Sequence, residues 1–290
     1  MIAVRADRTD HDDGHFPLGP AAWLRRRVTG MPFVDVNAQH LYFEDSGGDG
    51  PAVIFSHGFL MDHEMFAPQV AALSDTFRCI TWDERGFGQT PASAPFTYYD
   101  SAADCLALLD HLGIEAAVLA GMSQGGFLSL RAALMAPDRV RALVLIDTQA
   151  GIEDPQTLPL YQAMHDEWVT NGPANVQDAV AGLILGGGYD PTPWIAKWNG
   201  TPKANLTLPF RCLIERDDIT DRLSEILCPA IIFHGDADLS IAMGDAEALR
   251  DGLKGCERLV VVNGAAHASN MSHPDQVNGP MRDFLIAHAC

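Results

Sequence analysis

The sequence predicts an α/β fold built on a mostly parallel, twisted sheet flanked by helices. Three observations carry this. Short, almost wholly apolar runs recur along the chain. Such runs are strands buried on both faces, as in a parallel sheet covered by helices. Amphipathic segments of helical period lie between them, and strand–helix alternation builds right-handed crossovers. One strand-to-helix junction reads Gly121-Met122-Ser123-Gln124-Gly125, a sharp turn with a serine at its tip.

Residues 1–31 are polar, with Gly, Pro and the cluster Arg25-Arg26-Arg27. They read as an N-terminal arm outside the fold. FVDVN and HLYFED then alternate apolar and polar residues, the pattern of half-buried antiparallel strands. The buried runs are AVIFS (52–56), FRCITW (77–82), AAVLA (116–120), ALVLI (142–146), AIIFH (230–234) and RLVVV (258–262). Helical patterns occupy 101–112, 124–136, 245–253 and 275–288. The alternation breaks once, between Asp147 and Cys228. Residues 156–185 read as helical, and 186–210 are rich in Gly, Pro and Trp. That stretch is too long for an ordinary connection. It reads as a helical cap inserted after the sixth strand, over the C-terminal edge of the sheet. The expected division is an arm at 1–31, a core of 32–148 and 228–290, and a cap at 149–227.

A chain of 290 residues can bury one large core. With 19 basic and 38 acidic residues its formal net charge is −19. That balance argues against nucleic acid or an anionic membrane as a partner, since both need a basic face, and neither is expected. Six cysteines lack metal-binding spacing and read as reduced thiols. No run approaches a signal peptide or the ~20 apolar residues of a membrane span. A cytoplasmic protein is expected; homo-oligomer formation is left open.

The turn at Ser123 has two readings, an N-capping serine in a glycine-rich turn or a nucleophile. Small residues at 121 and 125 let neighbouring backbone pass close, and the turn lifts Ser123 Oγ to the sheet edge at a helix N-terminus. A serine hydroxyl is a weak nucleophile, so chemistry requires a base and an acid that orients it. Both follow later in the chain. AIIFH runs into Gly235-Asp236-Ala237-Asp238, and RLVVV into Asn263-Gly264-Ala265-Ala266-His267. Each stands just past the C-terminal end of a buried strand, where α/β sheets keep their sites. His267 is read as the base and Asp238 as its acid. Asp236 sits so close to its strand that it reads as a turn cap, and Asp147 is the rival acid. An oxyanion needs two backbone donors. These are assigned to Gln124, after the serine, and to Phe59, in the loop Ser56-His57-Gly58-Phe59-Leu60. His57 reads as structural.

With these pieces in view, residues 33–290 resemble the α/β-hydrolase superfamily. The resemblance is carried by SHGF (56–59), TWDERGFGQT (81–90), AGMSQGGFLSL (120–130), LVLIDTQAG (143–151), CPAIIFHGDADLSI (228–241) and NGAAHASNMSHPDQVN (263–278). Within it the chain is similar to small carboxylesterases, 3-oxoadipate enol-lactonases and the cofactor-free haloperoxidase-like hydrolases. The resemblance implies a serine hydrolase of small-to-medium esters or lactones, with no metal or organic cofactor. It makes Asp83 and Arg85 a loop-stabilising pair. Ser at 123 sets the chain apart from epoxide hydrolases and haloalkane dehalogenases, which carry Asp there. Ala268 after His267, and Phe59 after the His-Gly step, depart from the C–C hydrolases. Hydrolysis of a vinylogous diketone by the same triad is therefore the alternative activity, and a non-catalytic binding module the third. Trp168, Trp194, Trp198 and Phe210 are candidate walls of a mostly apolar acyl pocket.

Overall fold

The computed structural model describes residues 32–290. The arm expected at 1–31 lies outside the described residues. Strand β1 (Phe33–Val36) and β2 (Gln39–Asp45) form a hairpin, and β2 joins the sheet antiparallel to β4 (Arg78–Trp82). Every later pairing is parallel, through β3 (Ala52–Ser56), β5 (Ala117–Met122), β6 (Val140–Ile146), β7 (Ala230–Gly235) and β8 (Cys256–Val262). Among the described residues the eight-stranded order is β1-β2-β4-β3-β5-β6-β7-β8. All residues of β3, β5 and β7 are buried, which is what their unbroken apolar sequence requires.

Helices α1 (Ala67–Leu73), α2 (Tyr98–His111) and α3 (Gln124–Met135) follow β3, β4 and β5. The start of α2 is fixed by a capping box, in which Thr97 and Asp100 exchange bonds with each other's amides. Four helices follow β6: α4 (Leu158–Asn171), α5 (Gln177–Leu185), α6 (Thr192–Gly200) and α7 (Thr207–Ile214). The run read as helical over 156–185 is two helices, because Gly172 takes φ 92° and Pro173 cannot extend α4. The Gly-, Pro- and Trp-rich stretch 186–210 holds all of α6 and the first turn of α7. Helices α8 (Met243–Gly252), α9 (Ser269–Ser272) and α10 (Pro274–His288) complete the described chain.

The sheet divides the core into two apolar layers. Trp82, Phe127, Leu128 and Ile232 lie in one, and Phe55, Phe66, Phe233 and Leu285 in the other. Trp168, Trp194 and Trp198 of the inserted helices belong to the second layer. These helices are thereby packed onto the sheet's own core, over the strand ends where the polar residues cluster. No described helix is long and apolar enough to cross a membrane. All six cysteines are unpaired.

Candidate active site

Ser123 is the residue on which β5 turns into α3. Its φ of 51° and ψ of −114° are a strained conformation for a residue with a Cβ. The glycines around it have no alternative. A Cβ on Gly121 would lie 2.1 Å from the Gly125 carbonyl oxygen, and one on Gly125 would lie 1.9 Å from that of Ser56. The strain is held by the backbone. The Ser123 amide donates to Ile146 O at 2.9 Å, and its carbonyl accepts Thr148 Oγ1 at 2.7 Å.

His267 and Asp238 come together at the ends of β8 and β7. The imidazole Nδ1 lies 2.8 Å from Asp238 Oδ2. A carboxylate only accepts, so Nδ1 carries the hydrogen and Nε2 is left as a lone pair. The other oxygen, Oδ1, accepts the amides of Ser240 and Ile241 at 2.7 and 3.1 Å, which fixes the carboxylate's orientation. Burial disfavours charge on His267, but the Asp238 carboxylate outweighs it, and the imidazole is raised above its ordinary 6.5. Burial likewise opposes charge on Asp238, yet His267 pulls it below its ordinary value. Ser123 and His267 face one cavity. Among the described residues no hydrogen bond joins Ser123 Oγ to the ring, a gap common before substrate binds.

Asp147 is the rival acid, and the structure gives it a different position. It is fully buried at φ 45°, just after β6. Its Oδ1 accepts the Gly235 amide at 2.8 Å and its Oδ2 accepts the Ser269 amide at 2.9 Å. It ties the end of β7 to the segment that carries His267. Burial first, and the charge of Asp238 second, push its carboxyl up to about 7. Asp236 accepts the Gly264 amide at 2.7 Å, pinning the same loop from outside. His57 is buried with both ring nitrogens engaged, Nδ1 with Gly58 O at 2.8 Å and Nε2 accepting the Glu84 amide at 3.0 Å.

The amides of Phe59 and Gln124 take part in no hydrogen bond among the described residues. The Phe59 loop is held from two sides. Leu60 sits at φ 64°, left-handed and unfavourable for leucine. Its carbonyl accepts the Trp198 indole N–H at 2.7 Å. One residue earlier on α6, Lys197 reaches Asp62 at 2.6 Å and Glu64 at 2.9 Å. The inserted helices also reach the histidine, since the Ala268 amide donates to Ile184 O at 2.7 Å.

Asp83 and Arg85 brace their loop, but not as a pair. Asp83 accepts from His63 Nδ1 at 2.7 Å and the Gln89 amide at 2.8 Å, while Arg85 grips Asp104 on α2. Two buried clusters have the composition of metal sites: Asp62, His63 and Asp83, and Asp147, His234 and Asp238. In both, every carboxylate oxygen already accepts a hydrogen bond within the protein. They serve as braces.

The cavity measures about 120 Å³, close to the roughly 150 Å³ that admits a benzene-sized ligand. Trp168 and Phe210 line it, along with Phe59, Phe127 and Leu213. Trp194 and Trp198 do not, which corrects their assignment to the pocket. The two residues are 5% and 4% exposed and pack α6 onto the body. Tryptophan content alone does not distinguish a wall from a core residue. Glu153, Tyr161 and His165, which the sequence reading passed over, do line the cavity. No spacing signal marks them, because their elements belong to the insertion.

Comparison with known proteins agrees with this fold. The sequence profile described as "alpha/beta hydrolase fold" matches residues 51–274. The chain belongs to the α/β-hydrolase fold family. It is 27% identical to 3-oxoadipate enol-lactonase 1 of Acinetobacter baylyi, over 79% of this chain and 86% of that one. It is 27% identical to the human serine hydrolase BPHL, over 93% and 91%. Among solved structures, the enol-lactonase of Burkholderia xenovorans superposes with a TM-score of 0.81 at 28% identity, covering 88% of this chain and all of the other. A thermophilic esterase of Thermogutta terrifontis superposes at 0.78 with 27% identity, over 86% and 94%. These relatives are hydrolases, and this member of the family is a hydrolase.

Proposed function

We propose that the protein is a serine hydrolase that cleaves small-to-medium carboxylic esters or lactones through an acyl-enzyme intermediate. The observation that carries this is the strained Ser123 opening on the same cavity as His267, whose far nitrogen is held by Asp238 at 2.8 Å. In this reading His267 Nε2 takes the proton from Ser123 Oγ as the oxygen attacks the acyl carbon. Asp238 holds the tautomer and stabilises the imidazolium. The Phe59 and Gln124 amides bind the developing oxyanion. His267 then protonates the leaving alcohol. It next activates a water that releases the acid and restores the serine. In a lactone, acid and alcohol leave as one hydroxy acid. The relatives described as an enol-lactonase and an esterase support this bond class.

The cavity supports the size range. At about 120 Å³ with a mainly apolar wall it suits short chains better than long ones. A panel of p-nitrophenyl esters from acetate to decanoate, with several lactones, tests the proposal on the native enzyme and Ser123→Ala in parallel. Turnover should peak at short chains and fall by at least ~10³-fold in the variant. Activity near the native level in Ser123→Ala would defeat the mechanism. Turnover of a vinylogous diketone but of no ester would move the assignment to C–C hydrolysis.

A further inference from the structure

Glu84 is a buried carboxyl group that neither the proposed chemistry nor an ion pair uses. It lies between Asp83 and Arg85 in the turn after β4 and is 1% exposed. Arg85 is taken by Asp104. Glu84 Oε1 has no hydrogen-bond partner among the described residues. Burial pushes the carboxyl well above its ordinary range; the Gln124 side-chain amide beside it opposes that shift, and the Asp104 charge adds to it. Gln124 is equally buried. Its Oε1 accepts the Tyr98 hydroxyl at 3.3 Å, and its Nε2 has no partner among the described residues. The carboxyl and the amide are an acceptor and a donor left to satisfy each other in one buried space.

Glu84 also acts on the other oxyanion loop, through its backbone. Its amide donates to His57 Nε2 at 3.0 Å, so Nδ1 carries the ring hydrogen and gives it to Gly58 O at 2.8 Å. A peptide unit is planar and trans, so the Gly58 carbonyl and the Phe59 N–H point in opposite directions and turn together. Holding that carbonyl aims the Phe59 amide. The ring of Phe87, whose amide donates to Glu84 O at 3.0 Å, backs both His57 and Phe59. The loops after β3 and β5 thus meet at one residue after β4.

We propose that Glu84 is a positioning residue for the oxyanion site: its carboxyl group holds the Gln124 side chain, its amide holds His57, and together they aim the two amides that receive the negative charge. This rests on the serine-hydrolase reading. A buried carboxyl without a counter-ion costs stability, so an apolar replacement should fold at least as well. Loss of rate without loss of stability separates positioning from a merely structural role.

The experiment compares the native enzyme, Glu84→Gln and Glu84→Met on p-nitrophenyl acetate and butyrate, with Ser123→Ala as the blank and a thermal melt of each. Gln keeps an acceptor for the Gln124 amide, and Met fills the space without one. Glu84→Met should lower kcat about fivefold, the loss of one neutral hydrogen bond. KM should change little and the melting temperature should not fall. Glu84→Gln should bring kcat back to within about twofold of native. Gln124→Met removes the other partner and gives the same reading if Glu84→Met fails to fold. The double variant should lose no more than either single one. Equal kcat across the Glu84 series would overturn the proposal. So would a fall as large in Glu84→Gln as in Glu84→Met, a loss confined to KM, or losses that add in the double variant. Native enzyme with no Ser123-dependent ester turnover would instead remove the hydrolase reading, and this inference with it.

Discussion

Trp198 does not touch the cavity, yet its replacement should slow the reaction. Its indole N–H holds the Leu60 carbonyl at 2.7 Å, and Leu60 is in the left-handed region at φ 64°. A non-glycine residue there costs about 1–2 kcal/mol, so the loop keeps its shape only while restrained. A buried hydrogen bond of this kind contributes about 1 kcal/mol net. Trp198→Phe keeps an aromatic ring in the core but removes the donor, leaving Lys197 as the remaining tie from α6. A loss of about 1 kcal/mol lowers the ratio of aligned to displaced loop roughly fivefold, since 1.4 kcal/mol is tenfold, so kcat should fall by up to about fivefold. The Phe59 amide is expected to act on the oxyanion more than on the ground state, so the loss should appear in kcat with KM little changed. Steady-state kinetics on a short p-nitrophenyl ester, beside a thermal melt, measure both. Trp194→Phe is the control: its ring lies against the Lys197 ammonium at 4.5 Å, and its indole makes no hydrogen bond to the loop. It should leave kcat within about twofold. An unchanged kcat in Trp198→Phe, or an equal fall in both variants, would refute the reasoning.

Three further outcomes are expected. His267 must be neutral to act as a base, so kcat/KM should fall as pH drops through its pKa, and the midpoint should lie above the ordinary 6.5. Asp238→Asn removes the charge that raises it while burial continues to lower it, so the midpoint should move down and kcat should fall by roughly 10³-fold or more. Asp147→Ala leaves the buried Gly235 and Ser269 amides without acceptors; at roughly 1–3 kcal/mol for each it should destabilise the fold by several kcal/mol in chemical denaturation. Gly125→Ala places a methyl against the Ser56 carbonyl, and soluble expression should fall sharply, because the backbone that must move is a central strand.

The sheet was legible because its strands are buried on both faces and so contain little except apolar residues. AIIFH and ALVLI can be placed without any partner in view. The candidate reaction centre was legible for a related reason. Ser123, Asp238 and His267 each stand directly after such a strand, and the parallel order of the sheet brings the three ends together. The contrast between Asp238 and Asp147 was not legible. Both follow a buried strand, and only the side-chain geometry shows one on the imidazole and the other on two amides. The inserted helices were the least legible. Trp168 and Trp198 contact one another, at 5.9 Å between ring centroids, yet one faces the cavity and the other the core. That division depends on how α4 and α6 cross, which no local period encodes. The strain at Leu60 carries no sequence signal either, since leucine is an unusual choice for φ above zero.

Whether Ser123 forms a covalent acyl intermediate is the most direct question. The native enzyme would be mixed with excess p-nitrophenyl butyrate, quenched in acid within the first turnover, and mapped by peptide mass spectrometry. We expect a butyryl group on the Ser123 peptide, formed with the burst of nitrophenol and absent from Ser123→Ala. Ester turnover with no acyl group on Ser123, undiminished in Ser123→Ala, would contradict the mechanism.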